Sequence, residues 1–241
     1  MDVILKRLLA NRKCPFDFRK FPARVLCMKS YGQTCALAKA LDVVGDRWSL
    51  LVIRELLIRG SLRYTDIRKG VPGIATNLLA NRLRELEEAG VVRREAAPPP
   101  IATTLYHLTP RGEDLRPVVI ALGRWGQPLL ADAGEDEAFQ THWLTLPLEA
   151  NLKDNAPEES PIAIQVRAGD EPLLIETIDG AVRARVGSTD HPDAVLSGPS
   201  KLVFATLVGR MELVDARAKG LIYEGDPALF QRVRPGASAS V

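Results

Sequence analysis

Four short amphipathic segments between residues 35 and 90 constrain the fold of this 241-residue chain more than any other feature. Gly, Ser or Pro separates each segment from the next, in the order CALAKALDVVG, RWSLLVIRELLIRG, RYTDIRKGV and ATNLLANRLRELEEAG. Apolar residues recur in these segments at helical spacing, whereas Gly and Pro interrupt helices. The sequence therefore predicts short helices joined by tight turns.

Two β-prone runs follow the helices. VVRRE and TTLYHLT flank the tip AAPPPIA, whose prolines lack the N–H that a central sheet ladder requires, so we expect a hairpin with an exposed tip. Thr109 and Pro110 then form a favoured cap and first position for a helix. This helix carries an apolar stripe that needs burial against its own domain or a second copy of the chain: Leu115, Val119, Leu122 and Trp125.

The last of the four segments has two distinct faces. At about 100° per residue, its apolar and polar residues fall on opposite sides of a helix. The apolar side holds Ala75, Leu79, Leu83 and Leu86, and the polar side holds Asn77, Asn81 and Arg84. Asn pairs with adenine edges and Arg with guanine edges in the DNA major groove, which admits a helix. An ordinary surface helix shows the same pattern, so the faces alone leave both interpretations open.

Charge is divided unevenly along the chain. Residues 1–27 contain seven Lys/Arg against two Asp/Glu, residues 28–134 fifteen against eleven, and residues 135–241 ten against seventeen. The net charge of +2 therefore combines a basic half with an acidic half. This division favours a polyanionic partner for the basic half.

Several linked motifs lie in the basic half. They are Gly-Asp-Arg-Trp at 45–48, Arg-Tyr-x-x-Ile at 63–67, Pro-Gly-Ile at 72–74, Leu-x-x-Arg-Leu-x-x-Leu-x-x-x-Gly at 79–90 and Tyr-x-Leu-Thr-x-x-Gly at 106–112. Together they resemble the HxlR-type winged helix-turn-helix transcriptional regulators over roughly residues 33–127. The resemblance implies a bacterial homodimer that binds a double-stranded DNA operator with two half-sites, using the helix near 74–88 and the adjacent wing.

Individual DNA contacts follow from that resemblance and from the residue types. The base-reading candidates are Thr76, Asn77, Asn81 and Arg84, the wing candidates are Arg93 and Arg94, and the phosphate candidates are Arg63, Arg68 and Lys69. Arg82 matches the family pattern but lies near the edge of the apolar face. A base, a phosphate and an intramolecular partner all remain open for Arg82.

The acidic half resembles a second family. The string PDAVLSGPSKLVFATLVG, followed by GLIYEGDPALFQRV, is similar to the sterol carrier protein 2 fold over roughly residues 135–235. That resemblance implies an α+β domain with a cavity for a hydrophobic small molecule of acyl or isoprenoid type. The candidate cavity residues are Leu202, Phe204, Leu207 and Phe230. Plain core packing and a dimerisation module are the alternatives.

The three cysteines, Cys14, Cys27 and Cys35, all lie in the first 35 residues and form neither a disulfide framework nor a zinc spacing. Cys35 stands where many HxlR-type proteins have a cysteine, and in some of them it senses oxidants or electrophiles. A small half-buried residue is the competing interpretation of Cys35. No apolar run reaches the length of a membrane span and no signal peptide is evident, so we expect a cytoplasmic protein.

The sequence offers no catalytic motif, metal site or cofactor site, and its three histidines are scattered. We therefore expect a two-domain α+β regulator without enzymatic activity. The expected parts are a basic extension at 1–27, a winged helix-turn-helix at 28–134, a sterol carrier-like domain at 135–235 and a disordered tail at 236–241. The basic extension is either a flexible arm or the product of an upstream mis-start of translation. The alternative is a lipid-binding or carrier protein whose N-terminal half is a protein-interaction module.

Overall fold

The computed structural model describes residues 30–97, 103–132 and 137–235. The predicted basic extension, the hairpin tip and the predicted tail lie outside the described residues. The described residues fall into two compact units, with the division between Asp46 and Arg47. In the first unit, helix α1 (Ala36–Val44) follows Cys35, and the Asp42 carboxylate accepts hydrogen bonds from the Tyr31 N–H at 2.8 Å and the Ser30 hydroxyl at 2.9 Å.

The N-terminal part of the second unit contains short helices in the predicted order. They are α2 (Ser49–Arg59), α3 (Tyr64–Gly70), α4 (Thr76–Glu88), α5 (Pro110–Glu113) and α6 (Arg116–Gly126), followed by the 3-10 helix η1 (Gln127–Asp132). The prediction of short helices joined by turns is confirmed. Among the described residues, no helix is both long and apolar enough to cross a bilayer.

A small antiparallel sheet accompanies these helices. Its strands are β1 (Leu62–Arg63), β2 (Val92–Ala96) and β3 (Thr104–Leu108), in the order β1-β3-β2. Strands β2 and β3 form the expected hairpin, with Val92 opposite Leu108. Strand β1 is too short to have been predicted. Helices followed by a three-stranded sheet with one long hairpin give the winged-helix arrangement.

Leucines of α4 anchor it to the core. Leu79, Leu83 and Leu86 expose only 0%, 2% and 1% of their surface, as the helical periodicity predicts. Ala75 is exposed, because the helix begins at Thr76 and Ala75 is only its flanking residue. The prediction that Ala75 belongs to the apolar face is therefore wrong.

The helix predicted after Thr109 is divided into two pieces. The Thr109 hydroxyl accepts a hydrogen bond from the Gly112 N–H at 3.2 Å, which confirms the predicted cap. Helix α5 ends at Glu113, and α6 begins at Arg116 with Pro117 in its first turn. Because Pro117 has no N–H, it suits the start of a new helix and not the middle of a continuous one.

The C-terminal part, residues 137–235, is a mixed α+β structure. Its main sheet has the order β7-β6-β5-β8-β9, in which β5 and β8 are parallel and the other neighbours are antiparallel. These strands are β5 (Ala163–Arg167), β6 (Leu173–Ile178), β7 (Ala181–Val186), β8 (Ala194–Ser197) and β9 (Ile222–Glu224), and β4 (Leu152–Asp154) pairs separately with β10 (Val233–Pro235).

Helices cover this sheet and complete one hydrophobic core. They are α7 (Thr145–Asn151), preceded by the 3-10 helix η2 (Thr141–Leu144), and α8 (Ser200–Leu207), α9 (Leu213–Ala218) and α10 (Pro227–Arg232). Phe230 and Leu207 are fully buried in this core together with Ile164 of β5. A buried ion pair joins Arg232 to Asp154 with N–O distances of 2.8 and 3.0 Å. Arg232 therefore ties α10 to the β4 end of the domain.

Candidate nucleic-acid interface

One face of α4 is exposed and mainly polar. Thr76, Asn77, Asn81 and Arg84 are all exposed, and at about 100° per residue Asn77, Asn81 and Arg84 lie opposite the buried leucines. Arg84 donates a hydrogen bond to the Asn81 side-chain oxygen at 3.2 Å. The face therefore presents a hydroxyl, two amides and a guanidinium, which are the groups that form hydrogen bonds with base edges.

The start of α4 is tied to α3. The Tyr64 hydroxyl donates to the Thr76 carbonyl at 2.6 Å, and Arg68 donates to the Thr76 hydroxyl at 3.5 Å. No side chain of Ala75 caps the helix, and the Asn77 side-chain oxygen accepts from the Leu78 N–H at 2.9 Å. The positive end of the helix dipole thus lies beside exposed Arg68, a combination that attracts anions such as phosphate.

Acidic residues at the end of α4 are matched by cations. Arg94 of the wing lies 3.1 Å from Glu87, and Arg84 lies 4.0 Å from Glu88. These pairs reduce the negative potential of the last turn of α4. The N-terminal half of the exposed face carries no acidic side chain, so it is the more favourable half for a polyanion.

Arg82 differs from the other candidate contacts. It is only 8% exposed, and its guanidinium makes an ion pair of 2.6 Å with Glu85. Its side chain therefore packs along the helix and does not join the exposed polar face. The sequence left a base, a phosphate and an intramolecular partner open for Arg82, and this geometry favours the intramolecular partner. Arg82 is therefore not among the residues proposed to contact DNA.

The remaining basic candidates are exposed around α4. Arg63, Arg68 and Lys69 are exposed on one side, and Arg93 and Arg94 are exposed on the wing. Arg93 lies 2.5 Å from Glu95 and holds the pKa of that carboxyl below its ordinary value, mainly by a hydrogen bond. Because both side chains of this pair are about half exposed, Arg93 can exchange Glu95 for a phosphate at small cost.

Helix α6 leaves much of its apolar stripe in solvent. Leu115 and Val119 are half-buried, but Leu122 is 48% exposed and Trp125 is 73% exposed. Leu129 and Leu130 of η1 extend this surface, with 64% and 59% exposure. The sequence predicted that this stripe is buried either against its own domain or against a second copy of the chain. Its own domain buries only part of it.

A buried polar cluster joins the two parts of the second unit, and sequence reasoning missed it. Glu55 of α2 is fully buried, and its carboxylate accepts hydrogen bonds from His142 at 2.7 Å and from the Trp143 indole at 3.0 Å. Arg54 donates to the same carboxylate at 2.7 and 3.0 Å and stacks on the Trp143 ring. Arg54, Glu55, His142 and Trp143 are called the junction cluster below. A charged residue inside the apolar run LLVIRELLIR was the available signal.

Beside this cluster lies a cleft of about 610 Å³ with mainly polar walls. Arg59, His142 and Glu171 form one side of it, and Arg59 makes an ion pair with Glu171. The predicted ligand-pocket residues do not line this cleft. Leu207 and Phe230 are fully buried in the C-terminal core, while Leu202 and Phe204 pack partly buried against that core.

Cys35 is an exposed free thiol at the start of α1. Hydrogen bonding to the backbone of Ala38 and Leu37 lowers its pKa from the ordinary value. The start of a helix favours the thiolate in this way. In the described ranges, no group of three or more His, Cys, Asp or Glu side chains is arranged to hold a metal ion.

Known proteins are similar in sequence to the N-terminal part of the chain. The family described as HxlR-like helix-turn-helix matches residues 43–133. An uncharacterized HTH-type transcriptional regulator of Synechocystis sp. is 34% identical over 114 residues, which cover 47% of this chain and 81% of that relative. The chain belongs to the HxlR-like helix-turn-helix family.

Two further proteins are also similar to less than half of this HxlR-like protein. The uncharacterized HTH-type transcriptional regulator YvaP of Bacillus subtilis is 36% identical over 87 residues, covering 36% of this chain and 80% of YvaP. The reduced form of the transcriptional regulator YodB from B. subtilis is 29% identical with a TM-score of 0.37, covering 42% of this chain and 100% of that structure. The family match ends at residue 133, before the C-terminal α+β part.

Proposed function

We propose that this HxlR-like protein is a DNA-binding transcriptional regulator in which α4 enters the major groove. Three exposed polar residues carry this proposal: Asn77 and Asn81, opposite the buried leucines, and Thr76 at the start of the helix. A helix held by its apolar side can offer its amides to base edges without losing core packing. The family match at residues 43–133 includes this face, and relatives named as HTH-type transcriptional regulators are 34% and 36% identical to the chain over the residues they match.

In this proposal the basic residues around α4 bind mainly to the DNA backbone. Arg63, Arg68 and Lys69 contact phosphates beside the recognition helix, and Arg93 and Arg94 contact phosphates or the minor groove from the wing. Such contacts release condensed counterions, so binding weakens steeply with salt. They set affinity and register, whereas the α4 face sets sequence preference.

The exposed stripe of α6 supports a homodimer in this proposal. Exposed apolar surface on Leu122, Trp125 and Leu129 is costly in water, and two copies that pack their stripes together remove it. Two copies related by a twofold axis present two recognition helices. The operator then has two half-sites spaced to match them.

The C-terminal part is proposed to be a sterol carrier-like module that senses a hydrophobic small molecule. The order strand β8, helix α8, strand β9, helix α10 is the order that the resemblance implies, except that helix α9 lies between α8 and β9. Ligand binding in this module would change the angle or spacing of the two recognition helices and hence operator affinity. This coupling fails if a saturating ligand leaves operator affinity unchanged.

Fluorescence anisotropy on the DNA flanking the protein's own gene tests the regulator proposal. We expect a complex that prefers one duplex over a shuffled duplex of equal composition and loses affinity steeply as salt rises. The competing proposal is a lipid-binding carrier whose N-terminal half binds a protein. Absence of any sequence-preferring, salt-sensitive complex would support that carrier instead.

A further inference from the structure

The junction cluster buries a charge whose partners come from both parts of the second unit. Glu55 is 0% exposed, and four N–H groups reach its carboxylate, two of them from Arg54 of its own helix. The other two come from His142 and Trp143, which lie 87 and 88 residues further along the chain. Hydrogen bonds from these donors offset the free energy that is lost when the carboxylate is removed from water. A buried carboxylate without them destabilises the folded protein.

Hydrogen-bond partners assign the proton of His142. A carboxylate can only accept, so Nε2 of His142 is the donor in its 2.7 Å hydrogen bond to Glu55 Oε2. The other ring nitrogen, Nδ1, lies 3.1 Å from Arg59 Nη2 and 3.5 Å from a carboxylate oxygen of Glu171. His142 is only 2% exposed, so water does not readily replace it as a donor to Glu55.

The same cluster holds the last turn of α3. Arg54 donates to the carbonyl of Gly70 at 3.1 Å, and Gln140 donates to the carbonyl of Lys69 at 2.7 Å. These carbonyls belong to the free end of α3, whose acceptors lack partners within the helix. The segment that carries His142 therefore binds α3 directly as well as through Glu55.

Helix α3 in turn contacts the start of α4. Tyr64, at the opposite end of α3, donates to the carbonyl of Thr76 at 2.6 Å. The turn between the two helices packs inward through Val71 and Ile74, which are 1% and 7% exposed. An unbroken chain of contacts thus leads from the C-terminal part through Glu55 and α3 to the first residue of α4.

We propose that Glu55 is a positioning residue for DNA binding, which uses His142 and Trp143 to fasten the C-terminal part to the helices that hold α4. This inference rests on the proposed function, in which α4 binds DNA. The C-terminal part then controls the orientation of α4 without touching DNA. The nearby Arg59–Glu171 pair is partly exposed on both sides and contributes less than the buried cluster.

The first test compares His142→Ala with His191→Ala in the full chain. His191 is an exposed histidine of the same domain and serves as the matched control. We expect His142→Ala to weaken binding to the preferred duplex roughly tenfold, within the usual range of coupling between sites, and His191→Ala to leave it unchanged. Equal affinities for His142→Ala and the wild type would overturn the proposal.

A double-mutant cycle tests whether the effect passes through Glu55. In the Glu55→Gln background, His142→Ala should change DNA affinity less than about twofold, because the carboxylate that His142 serves is already gone. A full tenfold loss in that background would show that His142 acts by another route and would refute the role of Glu55.

Amide hydrogen exchange of the DNA-free protein supplies a readout that needs no operator. Exchange in residues 64–88 should be faster in His142→Ala than in the wild type, whereas strands β5 and β6 should be unchanged. Unchanged exchange in residues 64–88 overturns the proposal even if Glu55→Gln does not fold. If the wild type shows no DNA sequence preference, the proposed function fails. The hydrogen-exchange result then still tests whether the junction cluster positions residues 64–88.

Discussion

Gly70 lies directly against the carboxyl group of Glu55. A β-carbon on Gly70 would be 2.5 Å from Glu55 Cδ and closer still to Oε2. Real β-carbons do not approach other atoms this closely, so only glycine fits here while Glu55 keeps its partners. The end of α3 and the buried carboxylate of α2 are therefore packed as one unit.

Replacing Gly70 with alanine should destabilise the protein. The new methyl group forces Glu55 away from His142 and Trp143, and overpacking of this kind costs roughly 1–3 kcal/mol. Thermal or urea unfolding monitored by circular dichroism measures the change. Gly123→Ala is the matched control, because a β-carbon on Gly123 meets nothing within 4 Å and alanine favours the helix. Equal stability of Gly70→Ala and Gly123→Ala would contradict the close packing.

The Asp154–Arg232 pair predicts a dependence of stability on pH. Hydrogen bonds from Arg232 hold the pKa of the buried Asp154 carboxyl below its ordinary value. In the unfolded chain the pKa of an Asp carboxyl is about 3.9. Because the pKa is lower in the folded protein, the ionised carboxyl stabilises the fold at pH values above about 3.9. This stabilisation is lost as the pH falls through the folded-state pKa. Asp154→Asn should therefore cost roughly 3 kcal/mol at pH 7 and progressively less below about pH 4.

Urea unfolding across this pH range measures the effect of Asp154→Asn. Glu176→Gln is the control, because Glu176 pairs with Arg185 at 2.7 Å on a more exposed surface, where a pair contributes less than about 1 kcal/mol. A destabilisation by Asp154→Asn that stays constant from pH 7 to pH 3 would rule out the proposed origin.

Charge on the α6 stripe should abolish the proposed dimer. Trp125→Glu places a carboxylate in the surface that two copies are proposed to bury together, and an unpaired charge there is costly. Light scattering after size exclusion should give a monomer at concentrations where the wild type is a dimer. Val214→Glu is the control, since Val214 is 79% exposed on α9 and lies outside the stripe. Dimeric Trp125→Glu protein would contradict the proposed interface.

Cys35 should react with iodoacetamide faster in the folded protein than after denaturation. Backbone hydrogen bonds at the start of α1 lower its pKa, which increases the thiolate fraction near neutral pH. Peptide mass spectrometry resolves the alkylation of Cys35 from that of Cys14 and Cys27. A rate equal to that of the denatured chain would remove the physical basis for a sensing role.

Periodic patterns made much of the fold predictable. Leu79, Leu83 and Leu86 recur at helical spacing, and the sequence alone identifies their face as the core side of α4. The wing is equally local, because its two β-prone runs lie close together in the sequence and pair with each other. By contrast, β1 has only two residues, and its pairing with β3 depends on contacts more than 40 residues apart.

The junction cluster was beyond the reach of sequence patterns for a related reason. Glu55 looks like a misplaced charge within an apolar helix, and His142 looks like an isolated histidine in another segment. Only the fold brings them within 2.7 Å. For Arg82 the sequence motif predicted too much. The motif made Arg82 a candidate DNA contact, whereas the structure pairs it with Glu85.

The DNA preference of two single variants tests the central claim most directly. Binding is measured for Asn77→Ala and Arg93→Ala on the preferred duplex and on a set of single-base variants of it. Asn77→Ala should lose roughly 1–3 kcal/mol on the preferred duplex and discriminate less at one base position, because it removes a base contact. Arg93→Ala should weaken binding to all the duplexes alike and reduce the salt dependence, because it removes a phosphate contact. Identical base preference of Asn77→Ala and the wild type would contradict α4 as the helix that reads the operator.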